Sequence, residues 1–292
     1  METKKVAVIG AGLMGSGIAQ ACAQAGYEVV NIDTFASAIE KAKENITKLF
    51  ERKVAKGSMT EDKKKEILGR LNYSENFEDV KGAFLVVEAV PEKIEIKKDT
   101  FKRIDAVADP ETIIVSNTSG LSISEIASVT NRPQKVMGAH FFYPAPVMKL
   151  LELVRGLVTS DETYDTVKEF AAAIGKTTVD APEFPGFMVN RILVPMQNEA
   201  AFMVMEGSKP EDVDNAMKLG CNHPMGPIEL TDFVGIDTML ATMTGLYNGF
   251  HDSKYRPCPL LETMVKSGML GKKSGQGFYK YDEKGNKIGS SF

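Results

Sequence analysis

Two side chains in this sequence, His140 and Glu152, have the types and surroundings expected of an acid/base pair. His140 follows directly on Lys135-Val136-Met137-Gly138-Ala139, a short run with strand character, and is expected at that strand's carboxyl end. Glu152 lies inside Leu150-Leu151-Glu152-Leu153-Val154, where a lone ionised carboxylate would be costly to bury and needs a partner. The segment Phe141 to Lys149, with Pro144 and Pro146, can turn the chain back and bring the second strand beside the first. A carboxylate against an imidazole fixes its tautomer and stabilises the imidazolium, which suits a group that takes up and returns a proton. The simpler alternative is a packed histidine beside Phe141 and Phe142, with Glu152 facing solvent on an edge strand.

The start of the chain suggests what that proton accompanies. Lys4-Lys5-Val6-Ala7-Val8-Ile9 reads as a strand that runs into Gly10-Ala11-Gly12-Leu13-Met14-Gly15 and then a helix. In such a turn Gly10 permits the tight bend and Gly12 lets the backbone approach a pyrophosphate. Gly15 lets the helix pack on the strand with its N–H groups facing the phosphates. A second strand, Tyr27 to Ile32, ends in Asp33, about 20 residues beyond the turn, where a ribose-binding carboxylate is expected. An Asp there accepts from ribose hydroxyls and repels a 2′-phosphate, so NAD is favoured over NADP. Nicotinamide chemistry is hydride transfer, and a hydride leaving or reaching a carbinol carbon requires a group such as His140 for the hydroxyl proton.

The elements that must position these groups follow from the pattern. Further strand-like runs at Phe84–Glu88, Thr112–Ser116 and Thr177–Asp180 alternate with helical stretches. This predicts an α/β fold, a doubly wound parallel sheet with helices on both faces. Residues of about 35–72 form a long polar insertion bearing Lys48, Arg52, Lys53, Lys56 and Lys63 to Lys65. It reads as a helical hairpin whose basic face is either solvated or a site for an anionic ligand. Ser116-Asn117-Thr118-Ser119-Gly120 ends a strand, so its hydroxyls should lie on the ligand-facing edge or cap the next helix. After Pro185-Gly186-Phe187 strand signals nearly vanish. Residues 1–184 are therefore expected to form the dinucleotide-binding domain, and 185–292 an all-α domain whose first helix carries Asn190, an amide that must find partners or face a cleft.

Composition narrows the partners. With 292 residues, 43% apolar and 25% charged, the chain is an ordinary globular one and long enough for two domains. A net charge of −4 argues against a nucleic-acid partner. The longest apolar run, Phe187 to Met205, is interrupted by Asn190, Arg191, Gln197, Asn198 and Glu199, so no membrane span is expected. Three widely spaced cysteines and a first strand that begins by Lys4 fit a reducing, cytoplasmic setting without a secretory signal, and no metal site is expected.

Several motifs share one family resemblance: His140-Phe141-Phe142, Pro144-x-Pro146-x-Met148-Lys149-Leu150, Asn117-Thr118-Ser119, Pro185-Gly186-Phe187-x-Val189-Asn190-Arg191, Pro224-Met225-Gly226-Pro227 and Gly271 to Tyr279. Together they resemble the L-3-hydroxyacyl-CoA dehydrogenases, especially the short monofunctional bacterial 3-hydroxybutyryl-CoA dehydrogenases, over nearly the whole chain. The resemblance implies a Rossmann-type domain with an inserted hairpin, NAD as cofactor and an acyl-CoA substrate such as acetoacetyl-CoA. It also implies that His140 is the general acid/base, Glu152 its orienting partner, and Ser119 and Asn190 hydrogen-bonding groups at the reacting oxygen. Glu92, Lys97, Ser119, Tyr143 and Lys273 fall at cofactor positions, beside Gly10, Gly12, Leu13, Met14, Gly15 and Asp33. Lys53 and Lys56 are nominated for coenzyme A phosphates.

Two departures from the family stand near the site: Tyr143 where Asn is usual after His-Phe-Phe, and Gly120 in place of a second Ser. The rival readings are a β-hydroxyacid dehydrogenase, which would use a lysine on the helical domain, and a non-catalytic protein on the same fold, as in a lens crystallin. The apolar helices Phe187 to Met205 and Pro227 to Leu246 carry enough hydrophobic surface to suggest a homodimer.

Overall fold

The computed structural model describes residues 4–292. The chain divides into two compact units, the first ending at Glu183 and the second running Phe184–Phe292.

The first unit follows β1 (Lys5–Ile9), α1 (Leu13–Gln24), β2 (Glu28–Ile32), α2 (Ala36–Ala55), α3 (Glu61–Gly69), β3 (Leu71–Ser74), β4 (Ala83–Glu88), α4 (Ile94–Val107), β5 (Ile113–Ser116), α5 (Ile123–Ala127), β6 (Val136–Phe141), β7 (Leu150–Arg155), α6 (Asp161–Ala173) and β8 (Thr177–Ala181). Its single sheet has the order β3-β2-β1-β4-β5-β6-β7-β8. The first six strands are parallel, in the doubly wound order that reverses beside β1; β7 then runs antiparallel to β6, and β8 parallel to β7. Central strands covered on both faces must be apolar throughout, and Val6, Ala7, Val8, Leu85, Val86, Val87, Ile114 and Val115 are all fully buried.

The inserted hairpin is α2 and α3. Ile39, Ala42, Ile46 and Phe50 bury one stripe of α2 and leave its charged face outside. Gly57, at φ 70°, follows the end of α2, and the Thr60 side chain caps α3 by accepting from the Lys63 N–H. The hairpin is shorter than the expected 35–72, because Leu71 and Asn72 belong to β3, an edge strand of the main sheet.

The second unit is helical: α7 (Val189–Met205), α8 (Pro210–Gly220), α9 (Pro227–Val234), α10 (Ile236–Phe250) and α11 (Pro259–Lys266). Its core gathers Ile228, Ile236, Met243, Leu246, Leu261, Phe278 and Tyr279. It is not purely α-helical, since β9 (Tyr279–Tyr281) and β10 (Lys287–Ser290) pair as an antiparallel hairpin at its end. Two buried aspartates secure that end. Asp214 accepts from the Ile228 and Glu229 N–H groups at the start of α9 and from the Tyr279 hydroxyl. Asp232 accepts from the Phe278 and Tyr279 N–H groups and from the Tyr281 hydroxyl.

Candidate active site

The turn after β1 has the geometry a pyrophosphate requires. Gly10 sits at φ 104°, and a Cβ there would meet the Ala89 carbonyl oxygen at 2.6 Å. At Gly15 a Cβ would collide with the Gly10 carbonyl, so the start of α1 approaches the end of β1 as closely as it does only with glycine at 15. Gly12 differs: nothing lies within 4 Å of its would-be Cβ, which leaves its backbone open to a ligand. The carboxylate of Asp33 at the end of β2 accepts from the Ala11 N–H at 2.7 Å and the Phe35 N–H at 3.0 Å, so it braces the turn it is expected to serve. Asn31 adds a second brace, donating from Nδ2 to the carbonyls of Val8 and Gly10.

A cavity of about 570 Å³ opens at this turn and is lined by Gly10, Gly12, Leu13, Met14, Asp33 and Phe35 among others, with Phe77 and Arg103 in its wall. The Arg103 guanidinium stacks on the Phe77 ring at 3.7 Å. An open glycine backbone, a helix N-terminus and a strand-end carboxylate around one cavity fit NAD. Of the remaining residues expected at the cofactor, Gly15 supports the turn from behind, whereas Glu92, Lys97, Ser119 and Tyr143 lie outside this cavity's lining.

His140 and Glu152 are register partners on the antiparallel β6–β7 ladder. Directly opposed residues share a face of the sheet, and here His140 Nδ1 lies 2.6 Å from Glu152 Oε2. Glu152 is completely buried and His140 is 5% exposed, so the pair is shielded from water. The Phe142 ring packs against the imidazole at 4.5 Å between centroids. Beyond the histidine, the Phe141 N–H donates to Asn117 Oδ1 at 2.8 Å, which fastens the end of β6 to the turn after β5.

That turn carries Ser119, and its support is a charge network that runs from the buried Lys97 and Glu88 out to the half-exposed Glu92. Glu92 accepts from the Ser119 N–H at 2.7 Å and from the Thr118 hydroxyl at 2.5 Å. Lys97, with a side chain 1% exposed, sits 3.3 Å from Glu92 and 2.7 Å from Glu88. Glu88 in turn accepts from the Ser116 hydroxyl at 2.6 Å and the Val90 N–H at 2.7 Å. Buried charges persist only when paired and hydrogen-bonded, and these are both. Lys97 therefore pairs its ammonium with two carboxylates, one of which, Glu92, holds the Ser119 turn. Sequence reasoning missed Glu88, although a carboxylate ending the apolar run Phe84 to Val87 is the same signal that marked Glu152.

The other expected residues are placed as follows. Tyr143, 51% exposed, is the second residue of the loop between β6 and β7 and precedes Pro144 through a cis peptide bond. On the hairpin, Lys53 is half-buried over the Phe50 ring and Lys56 is exposed at the end of α2. In the second unit, Asn190 is the second residue of α7, and Lys273 pairs with Asp237 at 2.5 and 2.7 Å. Among the described residues no cluster of side chains is suited to a metal ion, and no helix is long and apolar enough to cross a membrane.

A glycine-rich dinucleotide turn and a buried His–Glu pair in the same doubly wound unit, followed by a helical unit, define a class of nicotinamide-dependent dehydrogenase. The chain belongs to the 3-hydroxyacyl-CoA dehydrogenase family: that family's NAD binding domain matches residues 5–184, and its C-terminal domain residues 186–281. It is 51% identical over 285 residues to a probable 3-hydroxybutyryl-CoA dehydrogenase of Bacillus subtilis, covering 97% of this chain and 99% of the relative. A 3-hydroxybutyryl-CoA dehydrogenase of Bradyrhizobium diazoefficiens is 47% identical, with 95% of each chain covered. Among solved structures, the (S)-3-hydroxybutyryl-CoA dehydrogenase of Ralstonia eutropha superposes with a TM-score of 0.92 at 44% identity, over 97% of this chain and all of the other. The β-hydroxyacid dehydrogenase alternative is set aside by these matches.

Proposed function

We propose that the protein interconverts (S)-3-hydroxybutyryl-CoA and acetoacetyl-CoA with NAD, His140 acting as the general acid/base. The observation that carries this reading is the buried His140–Glu152 contact, in a chain whose relatives bear that activity in their names. When bound, the nicotinamide supplies the hydride acceptor or donor. With Nδ1 engaged by Glu152, proton exchange with the substrate oxygen is assigned to His140 Nε2. In the oxidative direction the imidazole takes the hydroxyl proton, and the fully buried Glu152 carboxylate stabilises the resulting imidazolium. In the reductive direction the imidazolium returns that proton to the 3-oxo oxygen.

Ser119 and Asn190 are read as hydrogen-bonding groups at the same oxygen, and Tyr143 and Lys273 as cofactor neighbours. The basic hairpin with Lys53 and Lys56 is read as the coenzyme A phosphate site, and the working form as a cytoplasmic homodimer. The test is initial rates of NADH oxidation with acetoacetyl-CoA, free acetoacetate and 3-oxoacyl-CoAs of increasing length. Turnover of the CoA ester far above that of free acetoacetate is expected, because remote binding energy is needed to position a small reacting centre. Equal rates with free acetoacetate would reject the CoA-ester assignment, and peak size on gel filtration tests the dimer.

A further inference from the structure

Lys176 is a buried lysine with no part in the chemistry described so far. Gly175, at φ 72°, ends α6, and the Lys176 N–H closes that end onto the Ala171 carbonyl, which turns the side chain inward just before β8. The residue is only 8% exposed. Its ammonium donates to the carbonyl of Ala145 at 2.5 Å and to that of Met148 at 2.7 Å. Both acceptors belong to the loop that leads from His140 to Glu152. Within that loop the Pro144 carbonyl accepts from the Val147 and Met148 N–H groups at 2.9 and 3.0 Å, forming one compact turn.

The other side of the turn rests on the helix that starts at the dinucleotide site. Ala145 is 2% exposed, and a Cβ placed on Gly17 of α1 would stand 3.4 Å from both Ala145 Cβ and Pro146 Cδ. Lys176 is also close enough to α1 for its charge to oppose the burial that pushes the Cys22 thiol up to about 12. A turn carrying Tyr143 at one end is thus held between α1 and a single ammonium group. Burying that charge is unfavourable, and burial does depress the basicity of Lys176. An apolar side chain of similar length would fill the space without that penalty, so mere packing does not account for the lysine.

We propose that Lys176 is a positioning residue for the hydride-transfer site: by holding the Ala145 and Met148 carbonyls it fixes the Pro144–Met148 turn against α1, and so sets where Tyr143 and the His140 end of β6 stand relative to the dinucleotide turn. The link to turnover rests on the reading of Tyr143 as a cofactor neighbour and His140 as the acid/base.

The chain has no tryptophan, so Tyr143→Trp creates a single fluorescent reporter on the turn. Against that background, Lys176→Met is expected to lower the reporter's anisotropy while far-UV circular dichroism is unchanged. In the otherwise native protein, Lys176→Met should weaken NADH binding, measured directly by nucleotide fluorescence, about 5- to 20-fold, and lower kcat with acetoacetyl-CoA at saturating NADH about 10-fold or more. Lys176→Arg, which keeps charged donors, should restore part of both. A folded Lys176→Met protein with anisotropy, NADH affinity and kcat all within twofold of its parent overturns the proposal. If that variant does not fold, Lys176→Gln, whose uncharged amide ends one atom short of the lysine nitrogen, is read in the same way; failure of both to fold marks Lys176 as a stability residue and also overturns it. Should the native protein not reduce acetoacetyl-CoA, the substrate assignment falls, while the anisotropy and NADH-binding readouts still decide the role of Lys176.

Discussion

His140 and Glu152 are held 2.6 Å apart by the register of an antiparallel ladder, in which each is the other's direct cross-strand partner. A separation fixed by backbone hydrogen bonds does not depend on a flexible loop, so the imidazole is oriented before any ligand arrives. Register also makes the pair fragile to insertion, because a one-residue slip of β7 would turn Glu152 to the opposite face of the sheet.

His140→Ala is expected to lower kcat by about 10²- to 10⁴-fold, the range for a lost general acid/base, with NADH affinity retained. Glu152→Gln should also impair turnover, since the imidazolium loses its counter-charge. Residues that act as a unit are non-additive, so the double variant should be little worse than His140→Ala alone. Steady-state kinetics on the three folded proteins check this; near-native kcat in His140→Ala would remove the proposed mechanism.

Asp33 should make the enzyme prefer NADH to NADPH, by a factor on the order of 10² or more in kcat/KM, because its carboxylate opposes a 2′-phosphate at short range. The carboxylate also accepts from the Ala11 and Phe35 N–H groups. Asp33→Asn is therefore expected to narrow the preference and to weaken NADH binding as well. The same assay with both nucleotides would expose an error as an outright NADPH preference in the native protein.

Lys53→Ala combined with Lys56→Ala should raise the KM for acetoacetyl-CoA severalfold, more at low salt than at high, and leave NADH affinity nearly unchanged. Exposed charges are screened within about 10 Å at 0.1 M ionic strength, so the salt dependence distinguishes phosphate attraction from a general loss of structure. An unaffected double variant would reject these two lysines and leave the CoA-ester reading intact.

Much of the site was legible because its signals are local. A carboxylate inside Leu150 to Val154 announces a partner, two prolines between two strands announce a reversal, and three glycines followed by a strand-end Asp announce a dinucleotide. What escaped is non-local or weakly patterned. Glu88, Lys97 and Glu92 come together only once β4, its following loop and α4 are folded, and no periodicity reports that. The edge strand Leu71–Ser74 is four residues of mixed polarity. The β9–β10 hairpin is short and polar, and its anchors Asp214 and Asp232 lie 65 and 46 residues from Tyr279 and Phe278 respectively. Lys176 escaped for the same reason: its acceptors are 31 and 28 residues away, and an isolated lysine beside a helix-ending glycine ordinarily faces solvent.

Lys97→Met should destabilise the first unit by about 3–5 kcal/mol, because it strands the fully buried Glu88 carboxylate without its counter-ion. Glu88→Gln with Lys97→Met should recover a large part of that loss, since it removes the uncompensated charge. Glu92→Gln, at the half-exposed end of the network, should cost less stability yet lower kcat/KM, because Glu92 holds the Ser119 N–H. Calorimetry of each variant beside its kinetics separates the two effects. A Lys97→Met protein as stable as its parent would show that the ion pair contributes nothing.

Asp232 gives the second unit a pH dependence opposite to that of an ordinary salt-bridged carboxylate. Burial pushes its pKa up from 3.8 to about 6, against the lowering effect of the Tyr279 and Phe278 N–H groups and the Tyr281 hydroxyl. Asp214 is raised by burial too. Between pH 4 and 6 the folded protein thus binds more protons at Asp232 than the unfolded chain does, so the stability that Asp232 contributes falls as the pH rises through that window. The full effect of the Asp232 shift is ~3 kcal/mol, of which about 1 kcal/mol is recovered on going from pH 7.5 to 5. The transition of the second unit should therefore move up by a few degrees on mild acidification, and Asp232→Asn, which cannot ionise, should flatten that rise while losing some stability to an imperfect match with the two N–H donors. Scanning calorimetry of both proteins at pH 7.5, 6.5 and 5.5 decides the matter: a native transition that falls steadily over this range, or an Asp232→Asn profile parallel to the native one, would show that Asp232 stays ionised in the folded unit.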